Sequence, residues 1–216
     1  MHTCYSRDCT TSIEAIVKRC LKLGINCIAV ADHNTIAGGL EMQKDAPFMV
    51  IVGEEIKTPY GEIIGFFLRE EIPPSLSPRE TVGRIKAQGG LVCIPHPFDR
   101  VRRSPLKRRI IDKILPETDI IEVFNSRTTL LRDSARAQAF ARSHELLTSA
   151  GSDAHTAYEI GHAYVEMPEF SGVDGFRQAL AQGVIVGYRS VPWVHLASTL
   201  AKWRKRRATS HESKGT

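Results

Sequence analysis

No apolar run in the 216 residues approaches the ~18–20 needed to span a bilayer, so no membrane partner is expected. The N-terminus has no basic stretch followed by an apolar one, and no secretory signal is expected. Five cysteines, Cys4, Cys9, Cys20, Cys27 and Cys93, form no C-x-x-C pair, and their odd number does not suit a disulfide framework. Reduced thiols and a cytoplasmic location are the expectation. Cys20 and Cys27 read as small core residues, while Cys4 and Cys9 fall beside the polar cluster described below and are weighed as ligands there. No internal repeat and no low-complexity stretch precedes residue 191.

The sequence has room for one substantial domain with a buried core, and its 42% hydrophobic and 25% charged content is ordinary for a globular protein. The net charge of +5 is unevenly placed. Residues 191–216 carry six basic side chains against Glu212, which is +5, and residues 1–190 are therefore neutral. The expected division is a domain over 1–190 and a basic tail over 191–216.

Strand-like and helix-like segments alternate. Thr11 and Glu14 read as a capping box for a helix with Ile16, Val17, Cys20 and Leu21 on one face, stopped by Gly24. Ser77-Pro78-Arg79-Glu80 reads as a second capping box with proline at the first helical position. Further helices are expected over 132–144 and 173–182. Strands are expected at 26–31, 48–52, 62–68, 91–94, 120–124, 146–150 and 184–186. Repeated strand–helix units imply a parallel sheet with helices outside, and polar residues gather at the strands' C-terminal ends, where α/β barrels keep their ligands.

Those ends carry the chemistry. Asp32-His33-Asn34 follows one apolar run, Gly53-Glu54-Glu55 another, Pro95-His96-Pro97 a third and Gly151-Ser152-Asp153-Ala154-His155 a fourth, and the chain opens with His2 and Asp8. His2, Asp8, His33, Glu55, His96, Asp153 and His155 are the candidate metal ligands. Histidine with carboxylate suits zinc, manganese or iron. Each residue has a bland reading: Asp32 as a turn cap, Glu54 and Glu55 as a solvated pair, Asp153 as a helix cap, His96 as a rigid turn residue. Their coincidence at one rim favours ligands, and at least five contributing strand ends favour a barrel over an open sheet.

These segments, in this order, resemble the PHP family, named for polymerase and histidinol phosphatase. The resemblance covers residues 1–190 and includes Glu122-Val123-Phe124-Asn125. It implies an α/β fold, a distorted (β/α)7 barrel, two or three divalent ions and hydrolysis of phosphate esters. It implies that His2, Glu55 and Asp153 share one ion, that Glu55 bridges to a second held by His96, and that Asp8, His33 and His155 hold a third. Two departures stand out. The family's histidine two positions before His2 has no counterpart, so the first strand reads as truncated. The histidine expected near Ile64 is absent, which leaves the second ion short of a ligand. Two ions are expected rather than three, with Asp8, His33 and His155 as the least damaged set.

The function expected is metal-dependent hydrolysis of a phosphate monoester or nucleotide, by attack of a water made acidic by the ions. Asp153, His33 and Arg127 are expected to carry catalysis, and Arg100, Asn125 and Arg127 to bind substrate. Arg102, Arg103 and His162 read as surface residues. Gly53-Glu54-Glu55-Ile56-Lys57-Thr58 followed by Gly61-Glu62-Ile63-Ile64-Gly65 is similar to the small stand-alone phosphoesterases of the family, some of which act on nucleoside phosphates or short oligonucleotides. One alternative is a 5′–3′ exonuclease-like activity on short oligonucleotides, with Lys202–Arg207 and Trp203 as a nucleic-acid contact. The other is a degenerate, non-catalytic scaffold.

Overall fold

A computed structural model describes residues 1–101, 104–190, Thr199, Ala201, Trp203 and Lys205. The first helix, α1 (Ile13–Leu23), is capped by Ser12 rather than Thr11: Ser12 Oγ accepts from Ala15 N at 3.3 Å. Thr11 is drawn away because its hydroxyl donates to His155 O at 3.0 Å. The strand β1 (Cys27–His33) follows, then α2 (Ala37–Asp45), β2 (Met49–Thr58) and β3 (Gly61–Phe66). The helix α3 (Pro78–Ala87) starts on the full Ser77/Glu80 capping box that the sequence predicts. Next come β4 (Leu91–Ile94), α4 (Arg108–Ile114), β5 (Ile120–Asn125), α5 (Leu131–Ser143) and β6 (Leu147–Gly151). The last elements are β7 (Ala163–Glu166), α6 (Gly172–Ala181) and β8 (Val184–Gly187).

β1 to β6 form one sheet in sequence order, and β7 and β8 pair as a separate antiparallel ribbon. The sheet is parallel except at β3, which runs antiparallel to both β2 and β4. A tight turn joins β2 to β3 without a crossover helix, and that forces the reversal. The place between β1 and the end of β6 is held by residues 1–2. The Met1 ammonium donates to Ala29 O, Ala31 N donates to Met1 O, and His2 N donates to Ala154 O at 3.0 Å. The result is a distorted α/β barrel.

Strand alternation divides the core into layers. Ile51, Leu91, Cys93 and Ile120 point into the barrel, and Phe176 and Leu180 of α6 pack with them. Val52, Ile63, Val92, Ile94, Ile121 and Val123 point outward against α3, α4 and α5. Ile28, Val30 and Val50 point outward against α1 and α2. The apolar filling leaves the interior's polar residues at the rim.

The sequence pattern gives no sign of α2, because Gly38 and Gly39 occupy its first turn. The structure shows why glycine stands there. A Cβ on Gly38 would lie 2.1 Å from Asp32 Oδ2 and 2.3 Å from Thr3 Oγ1. Among the described residues no helix is long and apolar enough to cross a membrane.

Candidate metal centre

Seven elements converge at the rim. The opening segment brings His2 and Asp8, held by Asp32, whose carboxylate accepts from Thr3 N and Thr3 Oγ1, each at 2.6 Å. β1 ends in His33, β2 carries Glu55, and Glu62 is the second residue of β3. His96 follows β4, Asn125 ends β5, and Asp153 and His155 follow β6. His96 and Asp153 both adopt the left-handed backbone region, with φ of 29° and 48°. Such conformations in non-glycine residues concentrate where side chains must be aimed.

The distances knit these side chains together. His2 Nε2 lies 3.1 Å from Asp153 Oδ1 and 3.4 Å from Glu55 Oε2. His96 Nε2 lies 3.5 Å from Glu55 Oε1. Asp8 faces two imidazoles, with Oδ2 3.3 Å from His33 Nε2 and Oδ1 3.5 Å from His155 Nε2. His33 turns its other nitrogen to Glu55 Oε2 at 3.3 Å. The His2 ring stacks on His33 with 4.6 Å between centroids.

Burial and crowding shift the ionisable groups. Burial, with His155 nearby, pushes His2 down to about 4. Burial also opposes charge on His33, but Glu55, Asp8 and Glu62 carry it up to about 9. For Glu55 burial works upward, yet His33, His96 and His2 bring it down to about 2. Asp8 falls well below the carboxylate range against its own burial, through contacts with His155 and His33. Glu62 and Glu122 are pushed up by burial.

Supporting groups fix these side chains. Ser6 Oγ lies 3.2 Å from His2 Nδ1 and accepts from His33 N at 2.8 Å. Glu122 Oε2 accepts from His96 N at 2.9 Å and from Asn125 Nδ2 at 3.0 Å. Gly151 leaves room for this carboxylate, since a Cβ there would lie 2.2 Å from Glu122 Oε1.

The residues fit divalent ions. Four imidazoles and four carboxylates, all oxygen and nitrogen donors, meet in a buried space, and His33 Nδ1 is buried without a hydrogen bond. His2, His33 and His155 form one compact donor group, and His33, Glu55 and Glu62 form another. Carboxylates crowded together in a buried space are costly, and a cation between them removes that cost.

All seven candidate ligands named from the sequence meet at this rim. Arg127 is buried yet lines the cleft beside them, with Nη1 2.6 Å from His155 Nδ1 and Nε 3.2 Å from Glu159 Oε1. Asn125 bonds Glu122. Arg100 stands apart from the cleft, its Nε 3.3 Å from Asp133 Oδ1. Arg102 and Arg103 lie outside the described residues. His162 is not at the surface: it is buried, with Nδ1 2.8 Å from Ser190 Oγ and its ring against Tyr158 and Tyr188. The Cys9 thiol is taken up by backbone, donating to His155 O at 3.1 Å.

A cleft of about 670 Å³ opens above the cluster. Its walls hold Arg7, Lys57, Lys107 and Tyr60, none of which sequence reading singled out, and Lys107 Nζ lies 5.6 Å from the Tyr60 ring centre. Glu62, which also lines the cleft, was not singled out either. The signal available for it was the two-residue period that puts it on the face of Ile64. Of the basic tail, Lys205 donates to Cys4 O and Ser6 O, each at 2.5 Å, while Lys202, Arg204, Arg206 and Arg207 lie outside the described residues.

A PHP domain model matches residues 1–93 and a PHP-associated model matches residues 132–185. The uncharacterized protein MJ0417 of Methanocaldococcus jannaschii is 34% identical over 174 residues, covering 79% of this chain and 70% of that protein. The chain belongs to the PHP family. A second M. jannaschii relative, the uncharacterized protein MJ1587, is 46% identical over 115 residues, covering 51% of this chain and 64% of that protein, less than two thirds of its length. Among solved structures, a two-domain protein from Bacteroides vulgatus containing a predicted PHP-like metal-dependent phosphoesterase aligns with a TM-score of 0.68 at 17% identity, covering 87% of this chain and 63% of that one. A Bifidobacterium adolescentis protein provisionally described as a metal-dependent phosphoesterase aligns with a TM-score of 0.63 at 19% identity, covering 85% and 95%. Endonuclease Q, solved with a DNA duplex carrying an abasic lesion at its active site, aligns with a TM-score of 0.60 at 14% identity, covering 84% and 55%. At these identities the likeness is one of fold, and it agrees with the distorted barrel of this PHP domain.

Proposed function

We propose that this PHP protein is a metal-dependent phosphoesterase hydrolysing a phosphate monoester or a nucleotide. The observation that carries it is one cleft with two faces: a floor of imidazoles and carboxylates, and a wall bearing Arg7, Lys57 and Lys107. A floor of that kind suits manganese, zinc or iron, and a wall of cations suits an anionic substrate.

Two or three divalent ions, when bound, supply acidity to water and neutralise phosphoryl oxygens. His2, Glu55 and Asp153 would hold one, Glu55 and His96 a second, and Asp8, His33 and His155 a third. The protein's other groups hold geometry and charge. Ser6 fixes the ring of His2, and the Asp153 carbonyl, 2.8 Å from Nδ1, fixes that of His155. Glu122 fixes the His96 backbone, and through Asn125 it reaches Asp153, whose Oδ2 is 3.5 Å from Asn125 Nδ2. Lys57, Lys107 and Arg7 neutralise phosphate outside the metal floor, and Tyr60 offers a ring against which a base can stack. All five thiols are free, which suits action in the reducing cytoplasm.

The test is phosphate release from a panel of nucleotides and short oligonucleotides with added Mn²⁺ or Zn²⁺, for wild type and Asp153→Ala. The reading expects metal-dependent release that the substitution reduces at least 100-fold. Release confined to oligonucleotide ends would shift it to the exonuclease reading. No release from any substrate with either metal would leave a binding scaffold.

A further inference from the structure

Ile64 stands directly across from Glu55 in the β2–β3 register and packs into the barrel floor near Cys93, so it offers no donor to the ion assigned to Glu55 and His96. Glu62 lies two residues earlier on the same strand face, one step nearer the rim. It is diagonal to Glu55, within reach of a long side chain.

The Glu62 carboxylate is buried, with 7% of its side chain exposed, and Oε1 lies 3.9 Å from His33 Nδ1. Ligand atoms of His33, Glu55 and Glu62 all lie within 4.8 Å of one another. The Glu62 carboxylate accepts from the Ser104 side chain, and no lysine or arginine pairs with it among the described residues, although Lys57 is its cross-strand neighbour. Two buried carboxylates thus face each other beside an imidazole nitrogen that makes no hydrogen bond. A divalent cation shared by the two carboxylates would offset their mutual repulsion in this buried space.

We propose that Glu62 is a metal ligand, sharing an ion with Glu55 and supplying from β3 the donor that Ile64 does not. This rests on the metal-binding reading of the rim. A carboxylate at this position adds negative charge and a hard oxygen, so the ion it holds is biased toward manganese and away from zinc relative to an imidazole ligand.

The experiment is a metal count by mass spectrometry on full-length wild type, Glu62→Gln and Glu62→His, each equilibrated with Mn²⁺ and separately with Zn²⁺, with circular dichroism to confirm folding. Glu62→Gln is expected to hold one Mn²⁺ fewer per chain, or to bind it at least tenfold more weakly. Glu62→His is expected to keep the wild-type count in Zn²⁺ while losing Mn²⁺ affinity. Equal counts and affinities in all three proteins would overturn the assignment. A wild type that binds neither ion would overturn the metal reading beneath it. Phosphate release lost in Asp153→Ala with the Glu62→Gln count unchanged would keep the proposed function and remove only Glu62.

Discussion

Arg127 presses its guanidinium against His155, with Nη1 2.6 Å from Nδ1, and the same ring nitrogen lies 2.8 Å from Asp153 O. A guanidinium only donates and a carbonyl only accepts, so the two neighbours ask opposite things of one nitrogen. A cation on Nε2 would decide the matter, because the ring proton must then sit on Nδ1 and be donated to the carbonyl.

Arg127 also faces Glu159, whose Oε2 accepts from His155 N, Thr156 N and Thr156 Oγ1. Removing one partner of a buried ion pair leaves the other uncompensated. Arg127→Met is therefore expected to lose about 3–5 kcal/mol of stability in urea unfolding, and Arg127→Met/Glu159→Gln to recover part of it. A single variant as stable as wild type would show that the pair contributes nothing.

Gly38 sits against the clasp between Asp32 and Thr3 that holds the opening segment. An alanine methyl cannot fit without parting them. Gly38→Ala is expected to cost about 1–3 kcal/mol, as overpacking does, and to weaken metal binding because His2 and Asp8 ride on that segment. Amide exchange should rise at residues 1–8 before the rest of the barrel. Unchanged exchange there would mean that the clasp does not anchor the segment.

Most of this arrangement can be read in the sequence because barrel strands announce themselves twice, by an apolar run and by the polar cluster that ends it. β4 is an example: Leu91–Ile94 and the following Pro95-His96-Pro97 are both visible without coordinates. What escapes depends on long-range contact. α2 is hidden because its glycines serve Asp32 and Val52 across space rather than helix propensity. Glu62 is hidden because alternation places it on the face of Ile64 but does not bring it beside Glu55 until the β2–β3 register is known. Arg100 and Arg127 look alike in sequence, each a few residues beyond a strand end. One pairs with Asp133 at the surface and the other lies buried against His155.

Glu54 points away from the metal floor into the outer layer. It is fully buried, Oε2 accepts from Ile72 N at 2.8 Å, and Oε1 makes no hydrogen bond. Burial pushes its carboxyl up from 4.5 to about 7. An acid whose folded value is raised binds its proton more tightly in the native state, so stability is highest below 4.5 and falls as pH rises through 7. Glu54→Gln keeps the acceptor for Ile72 without the charge. In metal-free unfolding it should match wild type near pH 4 and exceed it above pH 7, by about 1–3 kcal/mol. Parallel stability curves across that range would refute a buried, raised carboxyl.

The cationic wall carries the last prediction. Lys57 leaves β2 at the cleft edge, and Lys107 lies over Tyr60 on the adjoining turn, both beyond the side chains that would hold metal. A phosphate held on the metal floor would leave these lysines free to meet a second anionic group on the same substrate. Lys57→Met and Lys107→Met should each raise KM about 5–20-fold for substrates with two phosphates, corresponding to about 1–2 kcal/mol per lost charged contact. A substrate with one phosphate should change less than twofold, and kcat should hold for both, since neither lysine touches the reacting bond. The contrast between the two substrates is the measurement that matters. A loss shared equally by both would place the lysines on the reacting phosphate itself, and a loss in neither would mean that the wall faces solvent while substrate is bound.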